Sequence, residues 1–517
     1  MTEPDTGLLL RGKYVLTDPR LKAAGVIRDG AVLVKGDRVA EVGAYADLRA
    51  RYPDARVLGN GRQFLMPGLV DAHSHGRGVS PIQKGVRNDF LENCLFDWAY
   101  MHVLPPELCA GMTAYNHLRS GSTLLHHNGF DDDGALGAQR AHTAIATYKA
   151  SGIRLAFSPG IRDESKLALD EKAFFATLPA ELQEWAKPRV FYDKAQAAED
   201  YFALFADLHA KYESDDLHIL LSPSWTHGAS ETFVTRVSET AQRHGGTQIH
   251  LHTLQTPVQK AYAERRMGKP TMFWLDELGM VGPNVTYGHC IHVTQPEIEL
   301  MGARGASVTN HPSCNFIMRN GITPVMPLRA AGVNVAMGLD DKTINDDEDA
   351  IMELRMMHKV HRVATFDLAT PPLDAYEAFE IATINGARVC GFAGAAGTLA
   401  PGAKADAVLV DLARVENAPW LDPRSDIVEA FVQRALGSDV DTVVVGGRVV
   451  VEDRVFRTMD VDALFRDVRT FCERGLPREH QERADMLARI KPYMQRWYRG
   501  WEEGVVREPF YRMNSRV

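Results

Sequence analysis

Four places in the chain combine residue types and positions that could do metal or acid-base chemistry. The apolar run Met66-Pro-Gly-Leu-Val-Asp71-Ala ends in His73-Ser-His75, two histidines two apart, which on a strand point to the same face and can bind one ion. A run at 248–252 ends in His250-Leu-His252, a run at 284–288 is followed by His289, and a run at 334–338 leads through Leu339 into Asp340. With 19 histidines in 517 residues, one H-x-H pair is weak evidence. Four such groups, each at the C-terminal end of a predicted strand, form a far more specific constellation, because that is where an α/β barrel gathers catalytic side chains from distant parts of its sequence.

The elements that must position these groups alternate in type. Strand-like runs at 155–159, 218–222, 248–252, 284–288, 307–310 and 334–338 are separated by helical stretches such as 231–244 and 295–304. This alternation means βαβ units and a mainly parallel sheet. About eight units over some 320 residues predict a distorted (β/α)8 barrel spanning 67–396. Before it, short strands at 8–10, 31–34, 39–42 and 63–66 lie among Gly-containing turns, and a matching pattern returns at 406–411, 440–445 and 448–451. Residues 1–66 and 397–460 are therefore expected to build one small β-sandwich domain from both chain ends. Residues 461–517, rich in Arg, Glu and aromatic residues, are expected to form a helical extension whose rings Tyr493, Trp497, Tyr498 and Trp501 serve as core.

Composition narrows the function classes. With 45% hydrophobic and 24% charged residues the chain reads as a globular enzyme, and a net charge of −9 without a long basic run speaks against nucleic acid or an anionic membrane as partner. A small-molecule substrate fits better. Six scattered cysteines without C-x-x-C, an acidic Met-Thr-Glu-Pro-Asp start and the lack of an 18-residue apolar run lead to an expected cytoplasmic location with unpaired thiols.

Several stretches together resemble the amidohydrolase superfamily, and within it the mononuclear group that contains cytosine, guanine and S-adenosylhomocysteine deaminases and the triazine hydrolases. They are P-G-L-V-D-A-H-S-H at 67–75, H-T-L-Q at 252–255, Y-G-H-C-I-H at 287–292, H-P-S-C-N at 311–315, G-L-D at 338–340, A-T-I-N-G-A at 382–387 and G-T-L-A-P-G-A-K-A-D-A at 397–407. The resemblance implies that His73, His75 and His252 are metal ligands, that Asp340 is both ligand and base, and that His289 polarises the reacting atom or closes the metal shell. Three imidazole nitrogens and a carboxylate oxygen suit one Zn2+, with Fe2+, Mn2+ or Co2+ as other candidates. Such an ion lowers the pKa of water from about 15.7 to roughly 7, about 12 kcal/mol in favour of hydroxide at neutral pH. Similar enzymes are homodimers or larger homo-oligomers, which the resemblance extends to this chain.

One position departs from the pattern. The ring deaminases carry Glu three residues after the third histidine, where it shuttles protons to a ring nitrogen; here the residue is Gln255. An amide exchanges no proton near pH 7. Gln255 is expected to hydrogen-bond substrate instead, with Trp98, Trp225, Arg162, Asn315 and Asn345 as further pocket candidates. His250 reads as structural, His292 as either pocket-lining or hydrogen-bonded elsewhere, and His126 and His127 as able to face the site. No lysine stands where a bridging carbamate would need it, which favours one metal over two. The acidic stretch Asp341, Asp346, Asp347, Glu348, Asp349 reads as a helix N-terminus in preference to a second ion site. The main expectation is hydrolysis of a C–N bond of an amide, urea or carbamate. The alternatives are a deaminase or dehalogenase of an N-heteroaromatic ring, or a metal-free scaffold.

Overall fold

The computed structural model describes residues 7–129, 135–362 and 368–504. Eight parallel strands form the body of the fold. Leu69–Ser74, Ser122–Asn128, Arg154–Ser158 and Leu217–Ile219 pair in sequence as one four-stranded sheet, and Ile249–Thr253, Val285–His289, Ser307–Asn310 and Asn334–Met337 pair as another. The halves meet through parallel bridges between Leu221 and Ile249 and between Trp225 and His252. On the other side the Asp340 amide donates to the His73 carbonyl at 2.8 Å. Two short ladders joined by isolated bonds make the expected distorted barrel.

Period-two alternation decides what each strand shows the interior. On Ile249–Thr253, Ile249 and Leu251 pack outward in the apolar layer under the helices, which leaves His250 and His252 on the inner face. Lower in the barrel the interior is apolar: Val70, Ala72, Leu124, Ala156, Leu220 and Ala336 pack around Phe392. His73, His252, His289 and Asp340 stand above this layer, at or just past the C-terminal ends of their strands.

Both chain ends join a single nine-stranded sheet. Gln63–Pro67 pairs antiparallel with Ala407–Asp411, from Gln63 opposite Asp411 to Pro67 opposite Ala407. The two halves of the expected sandwich are hydrogen-bonded through as one sheet. Because Pro67 leads directly into Leu69–Ser74, this sheet anchors the strand that carries His73. The helices Val461–Cys472 and Arg478–Trp497 follow, and Ile490, Met494, Tyr498 and Trp501 are buried against Phe96, Phe174 and Leu182. Among the described residues no helix is long and apolar enough to cross a membrane.

Buried neutral histidines make the fold sensitive to acid. His227 lies fully buried with neither ring nitrogen hydrogen-bonded among the described residues, and burial pushes its pKa down to about 3. In the unfolded chain it titrates near 6.5, so as pH falls below 6.5 the unfolded state gains a proton that the folded state refuses, and stability is lost until about pH 3. His227→Phe should therefore gain about 2 kcal/mol over the parent between pH 7 and pH 5. Urea midpoints at the two pH values measure this; an unchanged difference between the proteins would contradict the assignment.

Candidate active site

Four imidazoles at the barrel mouth are held in the same way. His75 Nδ1 donates to the Asn128 carbonyl at 2.8 Å, His252 Nδ1 to the Ser224 carbonyl at 2.5 Å, and His289 Nδ1 to Asn315 Oδ1 at 3.0 Å. His73 Nδ1 meets His250 Nε2 at 2.6 Å. An acceptor on Nδ1 fixes the tautomer and leaves Nε2 as a lone pair. These lone pairs converge. His75 Nε2 is 3.3 Å from His252 Nε2, and the Asp340 carboxylate lies 3.1 Å from His75 Nε2, 3.7 Å from His73 Nε2 and 3.8 Å from His289 Nε2. The Nε2 atoms of His73, His289 and His311 are buried without a hydrogen-bond partner among the described residues. Ligand atoms of His73, His75 and His252, and of His73, His289, His311 and Asp340, lie within 4.8 Å of one another in each set. Buried lone pairs and a carboxylate facing one point are chemically matched to a divalent cation.

Electrostatics keep these groups in the required states. Burial pushes the pKa values of His73, His252 and His311 well below the usual imidazole range and that of His289 down to about 4, so all are neutral at pH 7. Burial alone would raise Asp340, but the Lys342 ammonium holds it well below the ordinary carboxylate range. The Cys314 thiol donates to Asp340 Oδ2 at 2.8 Å; burial pushes its pKa up and keeps it protonated. Backbone geometry contributes too. His289 (φ 70°) and Asp340 (φ 54°) both sit in the left-handed region, a cost of order 1 kcal/mol each that the surrounding hydrogen bonds sustain. Gly338 is required, since a Cβ there would lie 2.5 Å from the His311 ring and 2.8 Å from His73 Cβ.

A second layer ties the first barrel strand to the last. Asp71 Oδ1 accepts from the amides of His73 (3.0 Å) and Leu339 (2.9 Å), and Oδ2 from His117 Nε2 at 2.7 Å. Asp341 accepts from Ser74 Oγ at 2.6 Å and from the amides of His75 and Arg77. Asp349 caps the helix Ala350–Val360 through the amides of Ile351 and Met352. These members of the acidic stretch are used as loop ties and a helix cap.

The sequence-predicted residues separate into those at the cavity and those behind it. A cavity of about 460 Å³ opens above Asp340 and is lined by His75, His252, Gln255, Trp98, Trp225 and Arg162. Asn315 instead stands behind His289, oriented by its own amide on Asn310 Oδ1 and Thr323 Oγ1. Asn345 is exposed and outside the lining. His127 lines the cavity, whereas His126 bonds Ser158 Oγ within the barrel and His292 bonds the Asn320 carbonyl. Two contributions were missed from sequence. His311 follows the strand Ser307–Asn310, the same strand-end position that marked the other histidines. Arg483 and Leu487, from the C-terminal helix, close one side of the cavity, with no sequence signal to show it.

Comparison with known proteins places the chain in a class. Residues 64–450 match the model of the amidohydrolase family, and residues 30–55 match an imidazolonepropionase-like composite domain of bacteria. The chain belongs to the amidohydrolase family and is a hydrolase acting on carbon–nitrogen bonds other than peptide bonds. It is 29% identical to a 5'-deoxyadenosine deaminase of Methanothermobacter thermautotrophicus over 85% of this chain and 93% of that one. It is 28% identical to a 5-methylthioadenosine/S-adenosylhomocysteine deaminase of Syntrophobacter fumaroxidans over 89% and 96%. Among solved structures, a zinc-bound adenosine deaminase from Xanthomonas campestris superposes with a TM-score of 0.75 at 27% identity, covering 90% of this chain and 98% of that one. The zinc complex of atrazine chlorohydrolase from Arthrobacter aurescens shares the fold at a TM-score of 0.74 and 20% identity, over 90% and 99%.

His250 is the positioning partner most open to test, because its Nε2, 2.6 Å from His73 Nδ1, is placed to accept the hydrogen bond that leaves His73 Nε2 free for an ion. His250→Phe should weaken binding of a divalent metal ion about 10- to 100-fold, as loss of such a partner typically does, with the circular dichroism spectrum retained. Competition against a chromogenic chelator reads the affinity; an unaltered value would assign the pair to packing alone.

Proposed function

We propose that the chain hydrolyses a C–N bond of a small planar molecule, an amide, urea, carbamate or related group, at a site for one divalent ion held by His73, His75, His252 and Asp340. The observation that carries this reading is the convergence of imidazole lone pairs on the Asp340 carboxylate at the head of a cavity walled by Trp98 and Trp225. Zn2+ suits three imidazole nitrogens and one carboxylate oxygen. Such an ion, when bound, supplies Lewis-acid polarisation and makes water a nucleophile near neutral pH.

The chain's own groups do the rest. Asp340, ionised at neutral pH, takes a proton from the attacking water at a carboxylate oxygen and delivers it to the leaving nitrogen. His289, neutral with its Nδ1–H held by Asn315, presents the Nε2 lone pair, which would close the shell of a bound ion. Trp98 and Trp225 offer flat apolar walls, and Gln255 holds substrate with its amide.

A second reading is supported by the named activities of the relatives: hydrolytic deamination of an N-heteroaromatic ring. Gln255 separates the two. If the substrate is a ring amine, Gln255→Glu restores a proton shuttle and should raise ammonia release about 10-fold or more. If it is an acyl C–N compound, the same change should leave turnover level or lower it.

The test is a panel of amides, ureas, carbamates and amino-heterocycles on zinc-loaded protein, with release of ammonia or amine measured. Asp340→Asn should cost about 10³-fold in kcat while the melting curve stays cooperative. Retained turnover in that variant would remove the mechanism.

A further inference from the structure

The cavity above Asp340 has a charge balance opposite to that of the whole chain. Net charge is −9, yet the charged side chains lining the cavity are Arg77, Lys84, Arg140, Arg162, Lys342 and Arg483, with Asp340 as the one lining acid among the described residues. Resting on the reading of this cavity as the substrate site, we infer that the substrate carries an anionic group, a carboxylate or a similar oxyanion, beside its scissile C–N bond, and that Lys342 and Arg77 receive it against Trp98.

Geometry supports the inference independently of the charge count. Lys342 is 3% exposed and enters the cavity two residues after Asp340. Its ammonium bonds the Asp340 carbonyl at 2.8 Å and lies 3.5 Å from Asp340 Oδ1, contacts that occupy two of its three donors. It also sits 5.4 Å from the centre of the Trp98 ring, and the Arg77 guanidinium sits 4.7 Å from the same centre. Arg77 Nη1 is buried without a hydrogen bond, 3.7 Å from Asp341 Oδ2. The indole N–H groups of Trp98 and Trp225 are likewise buried without acceptors among the described residues, and Trp225 is only 8% exposed. Arg77, Lys342, Trp98 and Trp225 all line one cavity, and the polar groups of these side chains are all donors. Their shared complement is a ligand rich in acceptors and poor in donors. A carboxylate meets that description, offering two oxygens and about four lone-pair directions to cations and N–H donors.

A neutral planar substrate would satisfy the tryptophan walls and Gln255 but offer no counter-charge to the six basic side chains of the lining. A cationic amine would face six basic side chains and the divalent ion. Placed against Lys342, the carboxylate fixes the substrate a few ångströms from Asp340, which sets the orientation of the C–N bond.

The experiment measures binding, so its result does not depend on which C–N bond is cut. Zinc-loaded parent, Lys342→Met and Arg77→Met proteins are titrated calorimetrically with ring pairs that differ by one carboxylate: benzamide and 4-carboxybenzamide, pterin and pterin-6-carboxylate, adenosine and adenosine-5′-carboxylate. At least one carboxylate should bind 10-fold or more tighter than its neutral partner. That advantage should fall below 3-fold in Lys342→Met and in Arg77→Met, each compared with the parent at equal zinc occupancy and with the Kd of its own neutral partner as the reference. Absence of a carboxylate preference in every pair, or a preference that survives both substitutions, overturns the inference and leaves these cations as packing against Trp98. Failure of the hydrolytic reading would show separately, as turnover that persists in Asp340→Asn.

Discussion

The mouth of the barrel is organised around one unfavourable arrangement: buried imidazole lone pairs and a carboxylate, all acceptors, with Asp340 3.1–3.8 Å from three of the ring nitrogens. Among themselves these atoms repel, and only a cation at their centre turns the cluster into an attractive one. Much of the surrounding structure serves to keep that arrangement in place. The carbonyls of Asn128 and Ser224 and the Asn315 amide each hold one Nδ1–H, so that no ring can flip its lone pair away. Asp71 binds the His73 amide in the first strand and the Leu339 amide after the last, bringing His73 and Asp340 to the same point although 267 residues separate them.

The same economy of placement extends outward. Asp341 and Asp349 look alike in the sequence, yet one ties the loop after His75 and the other caps a helix. The C-terminal extension buries Tyr498 and Trp501 as core and, from the preceding turns of the same helix, sets Arg483 and Leu487 at the cavity. An element that reads as an appendage thus forms part of the wall of the cavity above Asp340. Lys342 shows the converse: two residues after Asp340, it lowers the carboxylate pKa and also faces the cavity.

Comparison of expectation and structure shows which signals were local. The strands at 307–310 and 440–445 coincide with those observed, and the helices at 231–244 and 295–304 differ by at most one residue, because apolar periodicity, a Ser230 cap and the Thr294 capping box are written into adjacent residues. The strand Leu217–Ile219 is shorter than the run at 218–222 suggests, since the following residues join the next strand only through bridges. Asn315 and Asn345 were both read as pocket residues from their loop positions. The fold turned one behind His289 and left the other in solvent.

The sequence by itself determined the class of chemistry: histidines and an aspartate at strand ends, the alternation that makes a parallel barrel, and Gln255 where a proton-carrying residue is usual. These are properties of short windows, and short windows are what periodicity reports. Only the tertiary structure decided which lone pairs converge, that His250 sits 2.6 Å from His73, that His311 joins the cluster, and that basic side chains from the loop at Arg77, from Arg162, from Lys342 and from Arg483 face one cavity. The reason is physical. Ligand geometry and cavity charge are sums over groups far apart in the chain, and their distances exist only once barrel closure has brought the strand ends together.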